Sequence, residues 1–150
     1  MRDRLAECAR QLGLQVQVQR LGASTRTVKD AAVAVGCQEA EIAKSIVFVA
    51  DGDPVVCVAS GRHRIDTKKL AEALDVAEVR QAAADEVRAA TGFAIGGVPP
   101  FGHGLPVVFD RALLDHKRVW AAAGDPHSLF CVDPHKLASC VCARIVDLGE

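Results

Sequence analysis

Hydrophobic positions follow a helical period at the start of the chain and a strand period soon after. Leu5, Cys8, Ala9 and Leu12 fall at i, i+3, i+4 and i+7, which predicts an amphipathic first helix ended by Gly13. In Gln15-Val16-Gln17-Val18-Gln19 the apolar residues alternate with glutamines, the pattern of a half-buried strand. Ser24, Thr25 and Thr27 are candidate N-caps for a second helix with Val28, Ala31, Ala32 and Val35 on one face and Gly36 at its end. Two continuous apolar runs, Ile46–Ala50 and Val55–Ala59, flank Asp51-Gly52-Asp53-Pro54 and predict a hairpin of central strands. Asp66 caps a third predicted helix through Leu70, Ala73, Leu74 and Ala77, and Ala84–Ala90 reads as a fourth. Pro106–Phe109, Val119–Ala122, Leu129–Val132 and Val141–Val146 read as further strands, with Asp133-Pro134 opening a short helix through Leu137 and Ala138.

Hairpin links alternate with helical links, so the expected fold is α/β. It is a single domain over residues 1–150, with a mixed, strongly curved or barrel-like sheet and surrounding helices. Of the 150 residues 50% are hydrophobic, enough for one substantial core, and no repeat, linker or low-complexity tract suggests a second unit. The net charge of -1 gives no overall attraction to nucleic acid, so such a partner would need a local basic patch. No run approaches the roughly 18 apolar residues of a membrane helix, which points away from a membrane and toward the cytoplasm. The six cysteines sit in apolar runs and read as buried reduced thiols.

Candidate chemistry is concentrated in three places. Gly96-Gly97-Val98-Pro99-Pro100-Phe101-Gly102-His103 is stiffened by prolines and bared by glycines, a combination suited to holding main-chain groups against a ligand. Read alone, it is equally a turn between two strands. Lys44, with Ser45, stands just ahead of the Ile46 strand, where an ammonium can meet a phosphate or an oxyanion or simply mark the strand's solvated end. Arg62, Arg64 and Lys68 belong to the densest basic cluster, suited to phosphate contacts or to a solvated helix entry. There is no Gly-x-Ser-x-Gly elbow, Walker loop or His-Glu-x-x-His helix. Cys140-x-Cys142 has the wrong spacing for a zinc knuckle and reads as two residues on one face of a strand, so no metal or cofactor is expected.

Taken in order, Ala31-Ala32, Ile42-Ala43-Lys44-Ser45, Gly61-x-x-x-Ile65-Asp66 with Lys69-Leu70, Thr91-Gly92-Phe93, Gly96–Gly102, and Ala123-Gly124 with Pro134 and Leu137 resemble the YbaK/EbsC family. These proteins are relatives of the bacterial prolyl-tRNA synthetase editing domain. The resemblance implies hydrolysis of the ester between a wrong amino acid and the 3′ end of tRNA, with alanyl- or cysteinyl-tRNA for proline as substrate. It implies that Lys44 is the functional hallmark and that Gly96, Gly97, Val98, Pro99, Pro100, Phe101 and Gly102 line the pocket. Ser45, His127 and Ser128 are further substrate-binding candidates, the tRNA acceptor end is the expected partner, and prolyl-tRNA synthetase is a second. The chain has no tyrosine, a departure from cysteinyl-tRNA deacylases resembling the founding member, which carry one beside the pocket. Two alternatives stand beside this reading: a non-catalytic synthetase- or nucleotide-binding module of the same fold, and an ester hydrolase of small aminoacyl compounds.

Overall fold

The computed structural model describes residues 2–14, 17–21, 27–125 and 127–150. Eight strands form one mixed sheet in the order β1-β7-β6-β2-β3-β5-β8, with β4 also paired to β2. The strands are β1 Gln17–Arg20, β2 Ile42–Ala50, β3 Asp53–Ser60, β4 Val79–Gln81, β5 Val107–Asp110, β6 Val119–Ala122, β7 Ser128–Val132 and β8 Arg144–Val146. The helices are α1 Arg2–Gln11, α2 Val28–Val35, α3 Thr67–Leu74, α4 Ala84–Thr91 and α5 Pro134–Cys140.

The expected hairpin forms with Asp51 and Gly52 at its tip, at φ 47° and 88°. Positive φ at both tip residues matches the turn that fits the twist of paired strands. Asp51 tolerates it because its carboxylate accepts from the N–H groups of Ala77 and Glu78, fixing the tip to the segment that enters β4. The central strands read as unbroken apolar runs because both faces of the sheet are covered. Ala43 and Val47 of β2, Val56 and Val58 of β3 and Phe109 of β5 enter the main core with Phe93, Phe101 and Phe130. On the other face, Phe48, Val55, Cys57 and Val108 pack with Leu70 of α3, while Ile42 and Leu129 pack with Ala31 and Ala32 of α2.

Capping matched the sequence signals. Thr27 accepts from Asp30 N–H, Asp66 from Lys68 and Lys69, and Asp133 from His135 and Lys136. The other cap candidates of α2, Ser24 and Thr25, and part of the predicted Gln15–Gln19 strand lie outside the described residues. Several expectations need correction. β2 begins at Ile42, four residues earlier than expected, so Lys44 and Ser45 lie within the strand. β4 was not foreseen. The predicted Val141–Val146 strand is reduced to Arg144–Val146, because α5 runs to Cys140 and Cys142 sits in a turn at φ 52°. Cys140 and Cys142 therefore share no strand face. All six thiols are free, but only Cys57 is fully buried and Cys142 is exposed. Burial pushes the Cys57 thiol up to about 12. Burial, together with the Glu41 carboxylate, pushes the Cys37 thiol up to about 11. Neither supplies a thiolate at neutral pH.

Candidate active site

The site is a gap in the sheet. Along one edge β2 pairs with β3 from Ala43 to Ala50 without interruption. Along its other edge β6 reaches only Ile42 and Ala43, and β4 reaches only Phe48 to Ala50, extended by Ala82 N–H donating to the Val47 carbonyl at 2.9 Å. No strand covers Lys44 to Ile46 on that side, and a cavity of about 240 Å³ occupies the space. Residues 43–47 of β2 form its floor, α2 contributes Thr27, Val28 and Ala31, the end of β4 contributes Gln81 and Ala82, and Val87 of α4 closes another side. Ile95, Gly96 and Val98 form the remaining loop wall, with Ala122 and Leu129 from β6 and β7. The lining is largely apolar, so it suits a small apolar group held against a few polar atoms.

Lys44 is one of those few. It is exposed, shares a face of β2 with Ile42 and Ile46, and makes no ion pair among the described residues. Its ammonium is therefore not committed to a protein carboxylate. Ser45 turns to the opposite face, and its Oγ is buried without a hydrogen-bond partner. A buried hydroxyl without a partner costs free energy unless a ligand completes it.

Lys44, Val28, Ile46 and Gln81 also line a second, wider groove of about 780 Å³ that runs from the cavity to Ser60–Ile65, where Arg62 and Arg64 stand. The structure thus joins Lys44 to two of the three predicted phosphate-binding residues. Lys68 instead lines a separate depression beside the Asp51-Gly52 tip. The arginine loop is built on a buried carboxylate: Asp110, wholly inaccessible, accepts from Ser60 N–H (2.9 Å), Ala112 N–H (3.0 Å) and His63 Nε2 (2.5 Å). The C-terminal residues brace it from outside, with Asp66 N–H donating to the Leu148 carbonyl (2.7 Å) and Lys69 Nζ to that of Gly149 (2.6 Å).

Gly61 brings this loop against α2. A Cβ there would lie 2.4 Å from Val28 Cγ1 and 2.6 Å from the Glu39 carbonyl oxygen, so cavity wall and groove wall are in direct contact. Gly61→Ala is expected to lower stability by about 1–3 kcal/mol through overpacking, measurable as a lower urea midpoint at unchanged m-value.

The Gly/Pro loop divides in two. Gly96, at φ 85°, and Val98 face the cavity. Gly97 does not; its N–H is taken by the Ala94 carbonyl at 2.9 Å, and an added Cβ would lie 3.2 Å from the Asp125 Cα. Pro99, Pro100 and Phe101 are buried, with the Phe101 ring edge-on to Phe130 at 5.7 Å between centroids. Gly102 packs against Cys8. The prolines and Phe101 thus anchor the loop in the core while its first residues form the wall. His103 accepts from Leu105 N–H, and burial holds its imidazole below the usual range against a smaller opposing effect of the Pro100 carbonyl.

His127 and Ser128 fall outside the cavity lining. Asp125 accepts from His127 N–H (2.8 Å) and from Ser128 Oγ (3.0 Å), and the next residue, Leu129, reaches the cavity. Sequence reasoning missed Thr27, Gln81, Ala82, Val87 and Ile95. Only Ile95 carried a usable signal, as a large apolar residue beside two glycines; it is 53% exposed at the cavity rim. Among the described residues no cluster of His, Cys, Asp or Glu is arranged to hold a metal.

Residues 23–140 match the aminoacyl-tRNA editing domain family. The uncharacterized protein YwhH of Bacillus subtilis (strain 168) is 36% identical over 118 residues, 77% of this chain and 74% of that protein. A proline–tRNA ligase of Solidesulfovibrio magneticus is 37% identical over 106 residues, which are 69% of this chain but only 18% of the ligase. The chain therefore spans about a fifth of the length of such ligases. The solved structure of a candidate trans-editing enzyme for prolyl tRNA synthetase superposes with a TM-score of 0.93 at 41% identity, covering 99% of this chain and 96% of that one. With the sequence match over residues 23–140 and the fold in agreement, the chain belongs to the aminoacyl-tRNA editing domain family.

Proposed function

We propose that this domain hydrolyses the ester of mischarged tRNA, with alanyl- or cysteinyl-tRNA for proline as substrate. The observation that carries the reading is the position of Lys44, at the junction between a small apolar cavity and a groove edged by Arg62 and Arg64. The cavity receives the amino-acid side chain, and the groove receives the terminal adenosine and its phosphates. Lys44 anchors phosphate or oxyanion charge between them.

An aminoacyl ester is activated, so orientation and charge stabilisation suffice without a serine triad. The nucleophile is an ordered water or, for a cysteinyl ester, the substrate's own thiol. Gly96 and Val98 shape the pocket, Ser45 Oγ offers a hydrogen bond within it, and the turn bearing His127 and Ser128 supports its rim through Leu129. Since one methylene in an apolar pocket discriminates by only about 1–3 kcal/mol, choice of substrate calls for a second component. Prolyl-tRNA synthetase presenting its own tRNA is the proposed partner, which places the reaction in the cytoplasm. No helix among the described residues is long and apolar enough to cross a membrane.

Deacylation of alanyl- and cysteinyl-tRNA for proline tests the activity. Phosphate contact is tested separately with Arg62→Ala and Arg64→Ala. Each is expected to raise KM more than it lowers kcat, and to reduce the slope of log KM against log salt by roughly 1. A slope unchanged in both variants removes the arginines from the tRNA path.

A further inference from the structure

Main-chain direction along β2 singles out one peptide in the gap. The Ile42 carbonyl faces the β3 side, where it accepts from Gly61 N–H at 2.9 Å, and the Val47 carbonyl faces the opposite side, where it accepts from Ala82 N–H at 2.9 Å. Alternation along a strand therefore points the N–H and C=O of residues 42, 44 and 46 toward β3, and those of residues 43, 45 and 47 toward β6 and β4. Ala43 meets β6 and Val47 meets Ala82. Ser45, midway between them, has no strand opposite it and faces the cavity that it lines. Its Oγ is buried and unpartnered.

We propose that the aminoacyl group binds as a one-residue strand against Ser45: its α-amino group donates to the Ser45 carbonyl, and its ester carbonyl oxygen accepts from the Ser45 N–H. The proposal rests on the reading that an aminoacyl ester is the substrate, and it names the atoms that hold it. An exposed strand edge offers this donor and acceptor pair at fixed spacing, and extended segments are recognised by adding to such edges. An L-amino acid paired in this way sends its side chain to the Ser45 and Val47 face, toward Val87 and Val98 of the lining. The ester oxygen then leads toward Lys44. As water adds to the carbonyl carbon, the carbonyl oxygen becomes an anion held by the Ser45 N–H. The carbon–ribose oxygen bond then breaks, the carbonyl reforms, and the ribose oxygen takes up a proton that the water gave up. In the loop, the Gly97 N–H is already committed to the Ala94 carbonyl.

The test removes the N–H and nothing from the side chain, by replacing serine at 45 with its α-hydroxy counterpart, glyceric acid, to give a main-chain ester. With circular dichroism showing the fold intact, kcat/KM for alanyl-tRNA is expected to fall by about 10²–10³. Ser45→Ala, which keeps the N–H, should lose less than about tenfold. A main-chain ester variant within twofold of the unmodified protein overturns the proposal. Independently, adding 3′-alanylamido-3′-deoxyadenosine should move the Ser45 amide proton downfield; a Ser45 resonance that stays fixed while other cavity resonances shift also overturns it. If the unmodified protein cleaves no aminoacyl-tRNA, the proposed activity fails, and this spectroscopic result still decides the pairing at Ser45.

Discussion

Lys44→Ala is expected to lower kcat/KM for a mischarged tRNA by about 10²–10³, the range found when a single charge-stabilising donor is removed from a reaction site. The same substitution should change folding stability by no more than about 0.5 kcal/mol, because the side chain is exposed and pairs with no carboxylate among the described residues. That contrast identifies a functional rather than a structural lysine. Lys44→Arg keeps the charge but replaces a compact ammonium with a planar fork, so partial activity is expected. Initial-rate kinetics on alanyl-tRNA, paired with urea denaturation of the same preparations, reads both quantities. A Lys44→Ala variant with undiminished kcat/KM removes the charge from the mechanism.

Asp110→Ala should produce the largest loss of stability, about 3–5 kcal/mol, a large share of the roughly 5–15 kcal/mol that holds a domain folded. The carboxylate is wholly inaccessible and satisfies three donors from different parts of the chain, Ser60 N–H, Ala112 N–H and His63 Nε2. Its removal leaves two main-chain N–H groups without their acceptor and frees the His63 ring that anchors the arginine loop. The effect should appear as a lower urea midpoint. At temperatures where the variant remains folded, it should also appear as a raised KM, since Arg62 and Arg64 then stand on an unanchored loop. A midpoint shift equivalent to under 1 kcal/mol contradicts the structural role given to Asp110.

Much of the fold was legible in local chemistry. Thr27, Asp66 and Asp133 announced their helices as caps, and Asp51-Gly52 announced the hairpin, because each signal acts over four residues or fewer. The site was legible only in part. Lys44 and the Gly/Pro loop stood out by composition, but the gap between them did not. It exists because β6 and β4 each pair with one end of β2 and neither covers the middle. β4 itself, Val79-Arg80-Gln81, has a single apolar residue in three and no periodicity to detect. Lys44 looked like a residue ahead of a strand because the apolar run starts at Ile46, yet pairing with β3 from Ala43 and with β6 at Ile42 extends β2 around it. Loop composition likewise did not show that Pro99, Pro100 and Phe101 face the core while Gly96 and Val98 face the cavity. On the core side, Phe101 meets the ring of Phe130, which approaches from a distant strand.

Release of labelled amino acid from alanyl- and cysteinyl-tRNA for proline, followed with and without the protein, tests the assignment of the β2 gap as an ester-hydrolysing site most directly. At least one of the two esters should be cleaved well above its spontaneous rate, with that excess largely lost in Lys44→Ala. Spontaneous rates for both esters, from a folded preparation that still binds an acceptor-end mimic, would contradict it and leave a binding module in its place.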